Sequence, residues 1–391
     1  RAIAGIHFNY SLPDTLWPVL QHLENNPKPL AEFISDAYFG LIRNFQRQGW
    51  IILYLFGASP AICKSFFKTR PHLIEQFDSF DRYTIYHPYA TSLRMSDIGY
   101  KSTNQSSLEI DYNSLTGYVE SLSQAIETPY PDYAKIGVKV DGEYRQLNSN
   151  ALQIENEYYS TIRPKQIANS CEKPTIALKE RGIRYVEIRS LDLDLYTPIG
   201  IDENKSRFIE ALLITCLLQD SPKNSIQEQL TNNSNQLQVA HRGRKPGLEL
   251  QKGDNKVPLK DWADEILDSI EPVCEILDGE DRSKPFTAAL QQQKRLVDNA
   301  DLTPSARILA GMTQDEKPFA PYALDISAEH ERYFRSSVLS PEQTEIFKQL
   351  TEKSLARQLE IESGDDISFC EFLKRYFSQT LCKSASEQTR N

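Results

Sequence analysis

The chain has no block of consecutive lysines or arginines, and its 54 acidic residues outnumber 44 basic ones, for a net charge of −10 over 391 residues. That balance excludes a nucleic-acid or anionic-membrane surface as the main partner. It does not exclude ATP, whose site needs only a few local cations. No apolar run approaches the roughly 18 residues of a membrane span. The most apolar segment, Trp50–Ile51–Ile52–Leu53–Tyr54–Leu55–Phe56, stops at Gly57 and has the length of a buried strand or helix end. No signal peptide is expected from the first residues. The six cysteines are scattered and form no CxxC pair, which predicts a reduced cytosolic chain rather than a disulfide framework. There is no Walker-type P-loop, no GxGxxG after a strand, no HExxH and no zinc-ligand spacing.

What is present is the ordinary mixture of a soluble globular protein, 40% hydrophobic and 25% charged. Ile6, Phe8 and Tyr10 alternate with His7, Asn9 and Ser11, the period-two pattern of a half-buried strand. Residues 29–49 carry an apolar helical face of Phe33, Ile34, Tyr38, Phe39, Leu41, Ile42 and Phe45. Ser114–Ile126 reads as another helix, Ile136–Tyr144 as a hairpin turning at Asp141–Gly142, and Tyr185–Arg189 as a strand. From Asp202 onward helices take over: Asn204–Gln219, Leu259–Leu277, Phe286–Asp298, Pro304–Met312, Pro341–Glu362 and Ile367–Phe377. The polar stretch Ser221–Lys256 reads as a surface excursion, and the tail after Cys382 as frayed. Strands early and helices late predict an α+β fold. Its sheet-rich part covers residues 1–201, and residues 202–391 form a mainly helical part of the same domain.

Four constellations carry possible chemistry. Glu187 and Arg189 stand two apart on a strand and so share a face, with Val186 and Ile188 on the other. That pair serves either as a surface ion pair or as a metal ligand beside a phosphoryl-stabilising arginine. His7 and Asn9 share a face by the same rule, where a hydrogen-bonded structural histidine and a ligand look alike. Arg94 and Tyr100 sit in the hydroxyl-rich run 89–100, and Tyr159 and Arg163 in the run 153–164. Arginine with a tyrosyl hydroxyl suits an amino-acid carboxylate; a capped turn with a solvated arginine explains the same residues.

The segments GIHFNYSLP, YLFGASPAIC, YATSLRMSDIGY, LQIENEYYSTIRPK, YVEIRSLD and GRKPG occur in this order along the chain. Together they resemble the proteobacterial type of glutamate–cysteine ligase, from the first residues to at least Ser305–Leu309. The resemblance implies a glutamine-synthetase-like fold, a curved and mainly antiparallel sheet with helices outside. It implies use of ATP and Mg²⁺ to join L-glutamate to L-cysteine through a γ-glutamyl phosphate, the first step of glutathione synthesis. It further implies a cytoplasmic monomer with no nucleic-acid or membrane partner. By position within these segments, His7 and Glu187 match metal and phosphate ligands, and Arg189 matches the catalytic arginine on the transferred phosphoryl group. Arg94, Tyr100 and Tyr159 match the cysteine pocket, and Asn9 a polar contact in the same cleft. Members of the family also carry an upstream segment, roughly a quarter of their length, with further acidic ligands. The expectation is therefore that these 391 residues alone make no γ-glutamylcysteine. Two other readings stay open here: a ligase of the same fold with another amine acceptor, and a non-catalytic fragment.

Overall fold

In the computed structural model, which describes residues 4–68, 70–99, 105 and 108–379, the apolar spacing of residues 29–49 does what its helical period requires. Strand Gly5–Tyr10 (β1) is followed, after a short helix over Leu16–Leu23, by helix Leu30–Gln48 (α1), which buries Phe33, Tyr38, Phe39, Leu41, Ile42 and Phe45. Gly49 lets the next helix, Trp50–Phe56 (α2), start at once, since a Cβ there would lie 2.5 Å from the Phe45 carbonyl oxygen. Every residue of α2 is buried, so the most apolar segment of the sequence is a core helix.

Two further strands, Ile162–Lys165 (β2) and Tyr185–Asp192 (β3), join β1 in an antiparallel sheet with β3 in the middle. Val186 and Ile188 are fully buried on its core face. Helices Glu203–Leu218 (α3), Ile226–Arg242 (α4), Leu259–Asp278 (α5) and Pro285–Asp298 (α6) complete the main body. α1 packs on α3, and α3, α5 and α6 pack on one another; α2 lies between α4 and β3. A single apolar cluster takes in Phe39, Ile51, Ile188, Phe208, Leu267 and Leu290, so both halves of the chain share one core. At Asp141 and Gly142 both φ angles are positive, as the expected hairpin turn between Lys139–Val140 and Glu143–Tyr144 requires.

The α+β class holds in its coarse form: helices dominate and the sheets are small and antiparallel. Among the described residues the sheet has three strands, β1 and β2 flanking β3, and no other described strand pairs with either, so it forms at most part of the curved sheet that the resemblance implies. The surface excursion expected over 221–256 is corrected. It folds into α4 and a hairpin of Glu249–Lys252 with Asn255–Pro258. α4 turns Asn232, Asn235, Gln236, Val239 and Ala240 inward. Phe319–Ser336 is a helix that the spacing did not suggest, and Pro341–Ser363 is helical as expected yet buries no residue. The frayed tail after Cys382 lies outside the described residues. No helix among those described is long and apolar enough to cross a membrane.

Candidate active site

The polar face of the three-stranded sheet gathers chemistry from all its strands. Asn9 and Arg163 stand opposite Glu187 on either side. Between the pairs Phe8–Ile188 and Ile6–Leu191, one β1 residue, His7, faces two on β3, Arg189 and Ser190. This bulge has a clear effect. Simple alternation would put Leu191 on the same face as Glu187 and Arg189; the extra residue turns Leu191 into the core, 2% exposed, while both charged side chains stay on the polar face.

On that face Glu187 is the hub. Its Oε1 lies 3.1 Å from His7 Nδ1, its Oε2 3.2 Å from Arg189 Nη1 and 3.9 Å from Lys165 Nζ. Burial pushes the Glu187 carboxyl up, but Lys165, Arg189 and Arg163 outweigh it and hold the group below its ordinary value. Burial, then the neighbouring Arg189, holds His7 below its ordinary value as well. Lys165 is lowered chiefly by burial, against the pull of Glu187. The Glu187–Arg189 pair is thus an ion pair in this structure, though partly buried and part of a larger cationic cluster rather than a loose surface contact.

Arg94 lies beside this face, not in an open loop. It is 3% exposed, in a short 3₁₀ turn, Leu93–Met95. Its Nη2 donates to the Arg189 carbonyl at 2.9 Å, and its Nη1 to the Leu191 carbonyl at 3.1 Å, with Asp192 Oδ1 at 3.5 Å. Gly5 leaves the space that the guanidinium occupies. Asp192 in turn accepts from the Ala58 N–H at 2.9 Å, Ser59 Oγ at 2.7 Å and Ser92 Oγ at 3.0 Å. In this arrangement Arg94 grips the backbone that carries Arg189.

Tyr159 is 38% exposed and lines a cleft with Thr161, Met95 and the α4 amides of Asn232 and Gln236. The cleft adjoins the sheet, because the Thr161 carbonyl accepts from the Arg189 N–H at 2.9 Å. Asn9 is exposed across from Glu187. Tyr100 lies outside the described residues. Sequence reasoning missed Lys165, Asp192 and the α4 amides. The first was legible: Arg163 and Lys165 are two apart on a strand and share a face. The amides carried no signal.

The sequence pattern of the family described as Glutamate-cysteine ligase matches residues 1–239. Relatives include a glutamate–cysteine ligase of Pseudomonas putida, 45% identical over 98% of this chain and 73% of its own length. Another, from Pseudomonas paraeruginosa, is 44% identical over 97% of this chain and 72% of its own length. Among solved structures, a glutamate–cysteine ligase of Francisella tularensis in complex with AMP superposes with a TM-score of 0.86 at 37% identity, covering 95% of this chain and 72% of that one. A bifunctional glutathione synthetase of Pasteurella multocida shares the fold, with a TM-score of 0.60 at 20% identity over 83% of this chain and 36% of that one. Fold, site and likeness together define a ligase. More narrowly, the chain belongs to the glutamate–cysteine ligase family.

Proposed function

We propose that this protein joins the γ-carboxyl of glutamate to the amine of cysteine at the expense of ATP, the first step of glutathione synthesis. The observation that carries the reading is the Glu187 carboxylate set among Lys165, Arg189 and His7 on one sheet face, in a chain of this family. A carboxylate resists attack by an amine until one of its oxygens becomes a leaving group. In the first step a γ-carboxylate oxygen of glutamate bonds to the terminal phosphorus of ATP and ADP leaves. In the second the cysteine nitrogen bonds to the acyl carbon, loses a proton, and the C–O bond to phosphate breaks.

Arg189 is placed to spread charge from the phosphoryl oxygens over its planar fork. Among the described residues no three His, Cys, Asp or Glu side chains gather into a metal cage. His7 and Glu187 nevertheless fit Mg²⁺ arriving as MgATP, because that ion keeps waters and phosphate oxygens and takes only one or two protein carboxylates. When bound it neutralises phosphate charge. We further read the β1–β3–β2 sheet as part of the curved, glutamine-synthetase-like sheet that the resemblance implies. The setting we assign is the cytoplasm, in keeping with five free thiols among the described cysteines.

Tyr159 is assigned to the cysteine pocket. Tyr159→Phe is expected to raise the cysteine KM several-fold, the effect of one neutral hydrogen bond worth about 0.5–1.5 kcal/mol, while the ATP KM stays put. The assay follows γ-glutamylcysteine formed from glutamate, cysteine and MgATP by the purified full-length protein. No product with any amino-acid acceptor would defeat the proposed function, and a larger effect of Tyr159→Phe on ATP than on cysteine would move Tyr159 out of the pocket.

A further inference from the structure

We propose that Lys165 is a phosphate ligand for ATP, parked on Glu187 until the nucleotide arrives; this rests on the ATP-dependent reading above. Arg163, Lys165 and Arg189 face the single carboxylate of Glu187. Arg163 is 4% exposed, and its Nη2 donates to the Asn156 carbonyl at 3.2 Å, so it is built into the wall. The side chains of Lys165 and Arg189 keep 24% and 17% exposure and can meet a ligand.

Cations held this close in a half-buried site repel one another unless an anion joins them. The lysine is not locked to its present partner. Its Nζ lies 3.9 Å from Glu187 Oε2, beyond hydrogen-bond reach, whereas its backbone is pinned by the bond from the Arg184 N–H to the Lys165 carbonyl at 2.8 Å. A fixed stem with a loosely held ammonium suits a group that must turn from a carboxylate to a phosphate. Lysine binds phosphate as a point charge with three donors and needs no fixed fork. A polyphosphate fits better than an amino-acid carboxylate, because the face offers two reachable cations side by side and Arg189 already meets one oxygen group.

On this view Glu187 holds Lys165 and Arg189 in place when no nucleotide is bound, and competes with phosphate for both of them. That gives two tests of opposite sign, read by calorimetry on the full-length protein. Lys165→Met is expected to weaken binding of the magnesium complex of a non-hydrolysable ATP analogue by roughly tenfold to a hundredfold, the loss of one charge-assisted contact. Lys165→Arg restores most of the affinity, and the cysteine KM is unchanged in both. Glu187→Gln is expected to tighten metal-free ATP and to loosen its magnesium complex. Inorganic phosphate and glutamate, titrated separately, should show much smaller responses to Lys165→Met. A wild-type affinity for the analogue in Lys165→Met overturns the assignment, as does unchanged or weaker metal-free ATP binding in Glu187→Gln. A response confined to glutamate overturns it in favour of a carboxylate ligand. If the unaltered protein binds no nucleotide at all, the ATP-dependent reading falls and takes this one with it.

Discussion

Arg189→Lys is expected to lower kcat by roughly 10²–10³-fold, the scale seen when one preorganised transition-state donor is removed. The geometry explains why so small a chemical change should matter. The backbone of Arg189 is fixed on both sides: its N–H donates to the Thr161 carbonyl at 2.9 Å, and its own carbonyl accepts from Arg94 Nη2 at 2.9 Å. The guanidinium is further oriented by Glu187, 3.2 Å from Nη1. A lysine keeps the charge but loses the planar fork that spans two phosphoryl oxygens. Steady-state kinetics of product formation checks this, with the cysteine KM expected to change little. Turnover like that of the unaltered protein would remove Arg189 from the chemistry.

Asp192→Ala is expected to cost about 3–5 kcal/mol of stability, the loss found when one partner of a buried ion pair is deleted. Asp192 and Arg94 are each 3% exposed at the side chain. Without the carboxylate, Arg94 keeps a buried charge, and the Ala58 N–H and the Ser59 and Ser92 hydroxyls each lose an acceptor. The damage reaches function through Arg94, which then holds the Arg189 and Leu191 carbonyls less firmly. Denaturant melts of the variant measure the first effect and kcat the second. Asp192→Asn keeps the shape and should fall between. A melt unchanged by Asp192→Ala would mean that the network contributes nothing to holding the strand.

These two residues also mark how far the sequence could be read. Glu187 and Arg189 were legible because alternation on a strand fixes which side chains share a face, and Val186 and Ile188 are buried opposite them. α1 was legible because its apolar residues keep the helical period through Phe45. The bulge opposite His7 was not, since an extra residue in a strand leaves no mark on composition, yet it decides where Leu191 goes. Arg94 looked like a loop arginine because its partners are mainly backbone carbonyls, which any sequence supplies. α4 was hidden for a related reason. Its inward face is rich in amides made acceptable by hydrogen bonds: Asn235 Nδ2 donates to the Gln251 carbonyl at 2.7 Å, and its Oδ1 accepts from the Gln251 N–H at 3.0 Å. A polar helix that docks through such pairs has no apolar stripe to find. Six motifs in order, by contrast, carried the family, because each combines residues that packing alone would not require.

The central claim is that the sheet face bearing Glu187 and Arg189 activates glutamate as an acyl phosphate. The most direct measurement uses glutamate labelled with ¹⁸O in its γ-carboxylate, incubated with cysteine, MgATP and the purified full-length protein. The products are then analysed by mass spectrometry. The expected result is one ¹⁸O in each inorganic phosphate released, with one ADP and one γ-glutamylcysteine formed alongside it. Arg189→Lys should slow all three together. Label recovered in AMP, with pyrophosphate as the other product, would mean that glutamate is activated as an adenylate. Unlabelled phosphate would mean that ATP is merely hydrolysed, and either result would contradict the claim.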